Sequence, residues 1–271
     1  MIGKDTKVCI SISSNPGNTG AKIHNALYER FGLDYVYIPR ALDEGHLIDS
    51  MMAVKALGIV GCSVSMPFKR RVVPLLDQTD GHASFVPIVN TIRQRDERLI
   101  GYNTDVDGIM MVLEDISPPA HRLMPTVVGA GATAHSTIYA LSKMGFKEAN
   151  LWNRTESAAD TLARFASALG IKTYILKDLD ATDADILINA SAIGMEDEWF
   201  PMSDDTLKRY GHVFDVVNQS QTDLVARAVD LGLKVSTGKQ MALYQALKQF
   251  EIYTDVVLDI PHEMEFLRGV V

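Results

Sequence analysis

Cysteine is scarce in this chain: Cys9 and Cys62 are the only two in 271 residues, and neither belongs to a CxxC pair. That excludes a disulfide framework, and the seven histidines lie at spacings that suit no structural metal. Both thiols are expected to be buried and free. Runs of like charge are missing as well, and the net charge is −8, so neither nucleic acid nor a membrane surface is an expected partner. No apolar stretch approaches a membrane-spanning length, and MIGKDTKVCISIS has no basic region leading into an uninterrupted apolar segment with a cleavage site. The expectation is a cytoplasmic protein that acts on a small molecule. Repeats and low-complexity segments are also lacking.

What is present is a chain with 47% hydrophobic residues, long enough for two compact domains. Its first part alternates short apolar runs with helical patterns: TKVCISIS, AKIHNALYERFG, DYVYIP, LIDSMMAVKALG, IVGCSV. Such alternation implies βαβ units and a mostly parallel sheet. PIVNTIRQ and RLIGYN flank a polar turn at Asp96 and Glu97, which predicts a hairpin added to that sheet. From Asp105 the pattern is helical (VDGIMMVLEDI), and SPPAHR breaks it at Pro118 and Pro119. A second α/β block follows, and KQMALYQALKQFEIYTD near the end has the apolar spacing of a long amphipathic helix.

In TVVGAGATAHS, Gly129, Gly131 and Ala134 form GxGxxA between an apolar strand and a helix. Gly129 permits the tight turn, Gly131 lets a pyrophosphate approach the backbone, and Ala134 lets helix and sheet pack closely. The helix N-terminus then offers free N–H groups to the phosphates. NAD sites usually end the next strand with an acidic residue for the ribose; here LWNRTES places Asn153, Arg154 and Thr155 there. A guanidinium and a hydroxyl suit a 2′-phosphate, so NADP is preferred over NAD.

Three stretches, GCSVSMPFK, VNTI with GYNTD, and GAGATA with NRT and NASAIGM, resemble in order and spacing the shikimate dehydrogenase family. The resemblance covers essentially the whole chain, and it implies an α/β fold of two domains. Residues 1–104 would form a mostly parallel substrate-binding and catalytic domain, and 105–237 a Rossmann-type NADP domain. Residues 238–271, with the helix in STGKQMALYQALKQF, would return to the first. It further implies Lys69 and Asp105 as catalytic pair and Ser65, Asn90 and Gln245 as substrate ligands. Gly129, Ala130, Gly131, Ala132, Thr133, Asn153, Arg154 and Thr155 would hold NADP, with Val216 and Gly238 flanking the nicotinamide.

Departures from the family pattern are informative. Two serines that hold the substrate carboxylate in most members are replaced by Asn18 and Gly20, a usual asparagine by Ser63, and a tyrosine by Asn218. Asn18 keeps an amide that can contact the substrate. This pattern resembles the shikimate dehydrogenase-like subgroup, with the catalytic pair kept and the specificity residues altered.

The implied reaction, in the shikimate pathway of aromatic amino-acid biosynthesis, interconverts shikimate or a close relative and its 3-dehydro ketone by hydride transfer, with low shikimate activity. Partial burial and a neighbouring carboxylate act on a proton-moving lysine in opposite directions, so the sequence leaves open which of Lys69 and Asp105 moves the proton. Quinate or aminoshikimate is the alternative substrate, and an NADP-binding regulatory module with little turnover is the alternative of another class. The expected state is monomer or homodimer. His24 is read as a helix-surface side chain.

Overall fold

The computed structural model describes residues 2–116, 123–182, 184–196, 199–219 and 221–270. The expected break at Pro118 and Pro119 lies outside the described residues. The chain divides into two compact units, Met1–Thr104 with Leu243–Val271, and Asp105–Ala242.

The first stretch runs β1 (Lys7–Ser13), α1 (Thr19–Arg30), β2 (Tyr35–Ala41), α2 (Leu47–Ala56), β3 (Gly61–Val64), β4 (Gln78–Thr79), β5 (Thr91–Arg95) and β6 (Arg98–Tyr102). Its sheet has the order β2-β1-β3-β5-β6-β4, in which β1 pairs in parallel with β2 and β3. The pair β5–β6 is the expected hairpin, added antiparallel to β3. Asp96 and Glu97 both have positive φ, 48° and 59°. Two such residues in a two-residue loop match the right-handed twist of the flanking strands.

The second unit contains α3 (Thr104–Ile116, whose first residue belongs to the first unit), β7 (Pro125–Val128), α4 (Ala132–Lys143), β8 (Glu148–Trp152), α5 (Glu156–Ala168), β9 (Lys172–Ile175), β10 (Ile186–Asn189), α6 (Asp204–Leu207), β11 (His212–Asp215), α7 (Asp223–Asp230) and β12 (Lys234–Thr237). Its strands are all parallel, in the order β12-β11-β10-β7-β8-β9. This is the doubly wound Rossmann order, with β7 and β10 at the point where the winding reverses. β7, β10 and β11 are buried along their whole length, as strands covered on both faces must be.

Two helices complete the fold, α8 (Gly238–Thr254) and α9 (Ile260–Leu267). From Leu243 onward they belong to the first unit. There Leu247, Phe250 and Tyr253 pack against Ile23, Leu27 and Tyr28 of α1. A separate cluster joins Met51 and Val54 of α2 to Cys62, Val64, Phe68 and Ile92. Each large apolar side chain buried this way stabilises the unit by about 1.5–3 kcal/mol. The fold is therefore α/β, with a mostly parallel first unit, a Rossmann-type second unit and a C-terminal helix that returns to the first. The elements α6 and β12, four residues long each, are too short to carry a strong periodic signal in sequence.

Cys9 and Cys62 are buried free thiols. Burial pushes the Cys9 thiol up to about 11 and the Cys62 thiol further up, so neither serves as a nucleophile near neutral pH. Among the described residues no helix is long and apolar enough to cross a membrane.

Candidate active site

Because β1 and β3 run parallel and β5 runs against β3, the residues after β1, after β3, before β5 and after β6 share one edge of the first sheet. That edge gathers Ser65, Asn90 and Thr104, with the Lys69 backbone beside them. Val64 N–H donates to the Asn90 carbonyl (2.8 Å), Ser65 N–H to the Ile12 carbonyl (2.9 Å), and Val89 N–H to the Lys69 carbonyl (2.8 Å). Lys69 is half-buried and Ser65 exposed.

Asn90 is the centre of this group and only 2% exposed. Its Oδ1 accepts from the Thr104 N–H (2.8 Å) and the Thr91 hydroxyl (2.8 Å). Its Nδ2 donates to Thr104 Oγ1 (3.0 Å) and to Gln245 Oε1 (3.2 Å). The amide orientation is thus fixed by partners whose own roles are fixed, a backbone N–H above all. Asp105 follows Thr104 in the chain as the second residue of α3 and is 5% exposed. A carboxylate in the first turn of a helix is stabilised by the positive end of the helix dipole. Asn18 stands exposed at the start of α1, and no hydrogen bond among the described residues joins its side chain to the Asn90 group.

Sequence reasoning missed the support beneath Asn90. Gln249 lies one helical turn after Gln245 on α8 and is 3% exposed. Its Nε2 donates to Thr91 Oγ1 (3.0 Å) and the Asn90 carbonyl (3.3 Å). Its Oε1 accepts from the Ser63 hydroxyl (3.0 Å) and from His24 Nε2 (3.3 Å).

The surface reading of His24 is overturned: the side chain is fully buried and stacks on Tyr37, ring centroids 4.5 Å apart. Burial lowers His24 to about 4, so the ring is neutral, and an acceptor at Gln249 Oε1 places its proton on Nε2. The signal was present in the sequence, since His24 stands three and four residues before Leu27 and Tyr28 on the buried stripe of α1. Gly20 faces the same ring: a Cβ there would lie 3.3 Å from the Tyr37 hydroxyl.

In the second unit every cofactor residue expected from sequence follows a parallel strand, so all of them share the carboxyl edge of that sheet. Gly129, after β7, has φ +107°, and a Cβ on it would lie 2.9 Å from the Ala190 carbonyl. Glycine is required on both counts. Gly131 is different: a Cβ there would meet nothing within 4 Å, which leaves open the approach that a pyrophosphate needs. It caps α4 without a side-chain bond, so backbone N–H groups of that terminus face outward past Ala130, Ala132 and Thr133. Ala134 is fully buried.

After β8, the Asn153 amide donates to the Thr155 carbonyl (2.9 Å), and Arg154 and Thr155 are exposed. A cavity of roughly 380 Å³ opens here, lined by Gly129, Trp152, Asn153, Arg154, Ser191 and Glu196 among others. Val216 follows β11 and Gly238 follows β12; a Cβ on Gly238 would lie 2.4 Å from the Val216 carbonyl, so glycine lets the two segments touch. The open turn, the helix terminus and the guanidinium beside a cavity fit a phosphorylated dinucleotide.

The comparisons with known proteins agree with this construction. The family model for the shikimate dehydrogenase substrate binding domain matches residues 18–92, and that for shikimate / quinate 5-dehydrogenase matches residues 113–197. A shikimate dehydrogenase-like protein of Haemophilus influenzae is 34% identical over 261 residues, covering 94% of this chain and 93% of that protein. A solved shikimate dehydrogenase in complex with NADP+ superposes with a TM-score of 0.87 at 30% identity, covering 100% of this chain and 98% of the other. The quinate dehydrogenase of Corynebacterium glutamicum, solved with NAD, has a TM-score of 0.85 at 25% identity and coverages of 97% and 99%. With a relative above 30% identity matched over nearly its whole length, and both units built as their motifs require, this chain belongs to the shikimate dehydrogenase family.

Proposed function

We propose that this protein is an NADP-dependent dehydrogenase that interconverts shikimate, or a close relative, and its 3-dehydro ketone, with Lys69 and Asp105 as its catalytic pair. The observation that carries this reading is the edge of the first sheet where Ser65, Asn90 and Gln245 converge beside the Lys69 backbone, with Asn90 held rigidly underneath. Oxidising a secondary alcohol requires hydride to leave carbon while a base takes the hydroxyl proton; reduction of the ketone requires the reverse. Gly129–Thr133 and Asn153–Thr155 would hold NADP, which would supply the hydride acceptor. Lys69 and Asp105 together manage the hydroxyl proton. Asn90 and Gln245 orient the ring hydroxyls, and Ser65 and Asn18 complete the contacts. Val216 and Gly238 shape the nicotinamide end.

The same reading makes shikimate itself a poor substrate. Gly20 offers no hydroxyl to a ring carboxylate, and the space a side chain would take there is bounded by Tyr37. Asn18, exposed and without a capping bond, supplies an amide instead. Losing one hydrogen bond to a charged group costs about 1.5–3 kcal/mol, which is roughly 10- to 100-fold in kcat/KM.

Quinate and aminoshikimate are the competing substrates, and the solved quinate dehydrogenase of this fold favours including the first. Initial rates for shikimate, quinate and aminoshikimate, each with NADP and with NAD, test the reading. NADP-linked turnover of at least one of them is expected, with shikimate slow. Turnover of none would leave a nucleotide-binding regulatory module as the better description.

A further inference from the structure

Asp215 is a carboxylate that the proposed chemistry does not use, and it is completely buried. A buried charge is costly unless its environment is built for it. Here it is: Oδ1 accepts from the Asn189 side-chain amide (3.0 Å) and the Val217 N–H (3.1 Å), and Oδ2 accepts from the Thr222 hydroxyl (2.6 Å). Burial raises the Asp215 carboxyl above its ordinary range while the three donors pull it down.

Its partner Asn189 has no hydrogen-bonding capacity to spare. Asn189 Nδ2 donates to Asp215 and to the Ile193 carbonyl (3.0 Å), and Oδ1 accepts from the Ser191 N–H (3.2 Å) and hydroxyl (2.6 Å). A carboxylate and a carbonyl only accept, so the amide cannot turn over.

These bonds tie together two loops that leave neighbouring parallel strands, β10 and β11. The first loop carries Ser191 and Ile193 into the cavity beside Arg154, and Gly129 packs directly against its backbone. The second carries Val216 and Val217, whose carbonyls lie against Gly238. The loops also meet at Gly194, where a Cβ would lie 3.2 Å from Thr222.

We infer that Asp215 is a positioning residue that clamps the adenosine-side loop to the nicotinamide-side loop, so that one dinucleotide fits both. This rests on the dinucleotide reading proposed above. Thr222 anchors the second loop alone, and Asp215 through Asn189 anchors both.

The test is calorimetric titration of the full chain with NADP and with 2′,5′-ADP, a fragment that lacks the nicotinamide half, alongside thermal unfolding. Thr222→Val removes the bond to Asp215 together with the cap that the Thr222 hydroxyl gives the Val225 N–H of α7, with little change of shape; it is expected to weaken NADP about fivefold and leave 2′,5′-ADP unchanged. Asp215→Ala is expected to weaken NADP about tenfold or more and 2′,5′-ADP about threefold. Should Asp215→Ala fail to fold, Thr222→Val decides: equal affinities to wild type for both ligands would overturn the clamp. So would an Asp215→Ala protein with a lowered melting temperature but unaltered affinities, or one that loses affinity for NADP only. Wild type that binds neither ligand would overturn the dinucleotide reading itself, and the clamp with it.

Discussion

The two units build their sites from different materials. In the first, the site is made of side chains: Asn90, Thr91, Thr104, Gln245, Gln249, Ser63 and His24 form a hydrogen-bonded group, mostly buried, drawn from widely separated parts of the sequence. In the second, the exposed part is local: a glycine turn and a helix terminus without a side-chain cap, both made of backbone, and an exposed arginine, with the Asp215–Asn189 group buried beneath. A side-chain network couples binding to stability, because each partner removed strands a buried polar group. The exposed turn and arginine do not, because changing them strands nothing buried. The same substitution logic should therefore give opposite stability signatures in the two units.

The largest effect belongs to Lys69. Lys69→Ala should lower turnover by about a hundredfold or more, the usual scale for losing a general acid or base, with NADP affinity unchanged by titration. Near-normal turnover would remove Lys69 from the chemistry.

Next comes Gln249, where the comparison is sharpest. Gln249→Leu leaves the buried His24 Nε2–H without its acceptor and takes one partner each from the Ser63 hydroxyl, which keeps Tyr253, and from Thr91, which keeps Asn90 and Thr104. Denaturant unfolding should show a loss of about 3 kcal/mol. A loss within experimental error would mean the network is dispensable to the fold.

In the second unit the expectation reverses. Arg154→Ala and Gly131→Ala, at exposed positions, should leave stability within about 0.5 kcal/mol of wild type. Arg154→Ala should weaken NADP by about 1.5–3 kcal/mol and spare NAD, whereas Gly131→Ala, which puts a methyl where a pyrophosphate approaches, should weaken both about tenfold. Equal losses of NAD and NADP in Arg154→Ala would reduce the arginine to a structural role.

The last effect is one that the two units share. His24 in the first unit is lowered to about 4, below its ordinary 6.5, and burial lowers His212 in the second to about 4 as well. As pH falls, the unfolded chain binds these protons first, so their stabilisation is complete above about pH 6.5 and is lost toward pH 4. For His24 the loss between pH 7 and pH 5 is about 2 kcal/mol. His24→Gln should flatten the pH dependence of the unfolding free energy; an unchanged slope would show that His24 does not carry it.

The contrast also explains what the sequence made legible. The GxGxxA turn and NRT stretch could be read because a backbone site is local: strand, glycines and helix follow one another, and the phosphate-binding geometry comes from that succession. The hairpin turn at Asp96 and Glu97 was legible for the same reason. Asn90 and Lys69 became candidates through resemblance to a family, since nothing local distinguishes them. Gln249 and Thr91 were missed because their roles arise from which strand edge meets which helix face, and that pairing is tertiary; the burial of His24 was legible on the apolar stripe of α1, but its bond to Gln249 was not. Asp215 lay hidden in an apolar strand run, where a lone carboxylate is equally compatible with a strand end facing solvent.

The central claim is that these differently built sites serve one hydride transfer. It is tested most directly by supplying NADP and shikimate deuterated at the carbon whose hydroxyl becomes the ketone, then isolating the reduced cofactor. The NADPH formed is expected to carry one deuterium; NADPH free of label would contradict the direct hydride transfer.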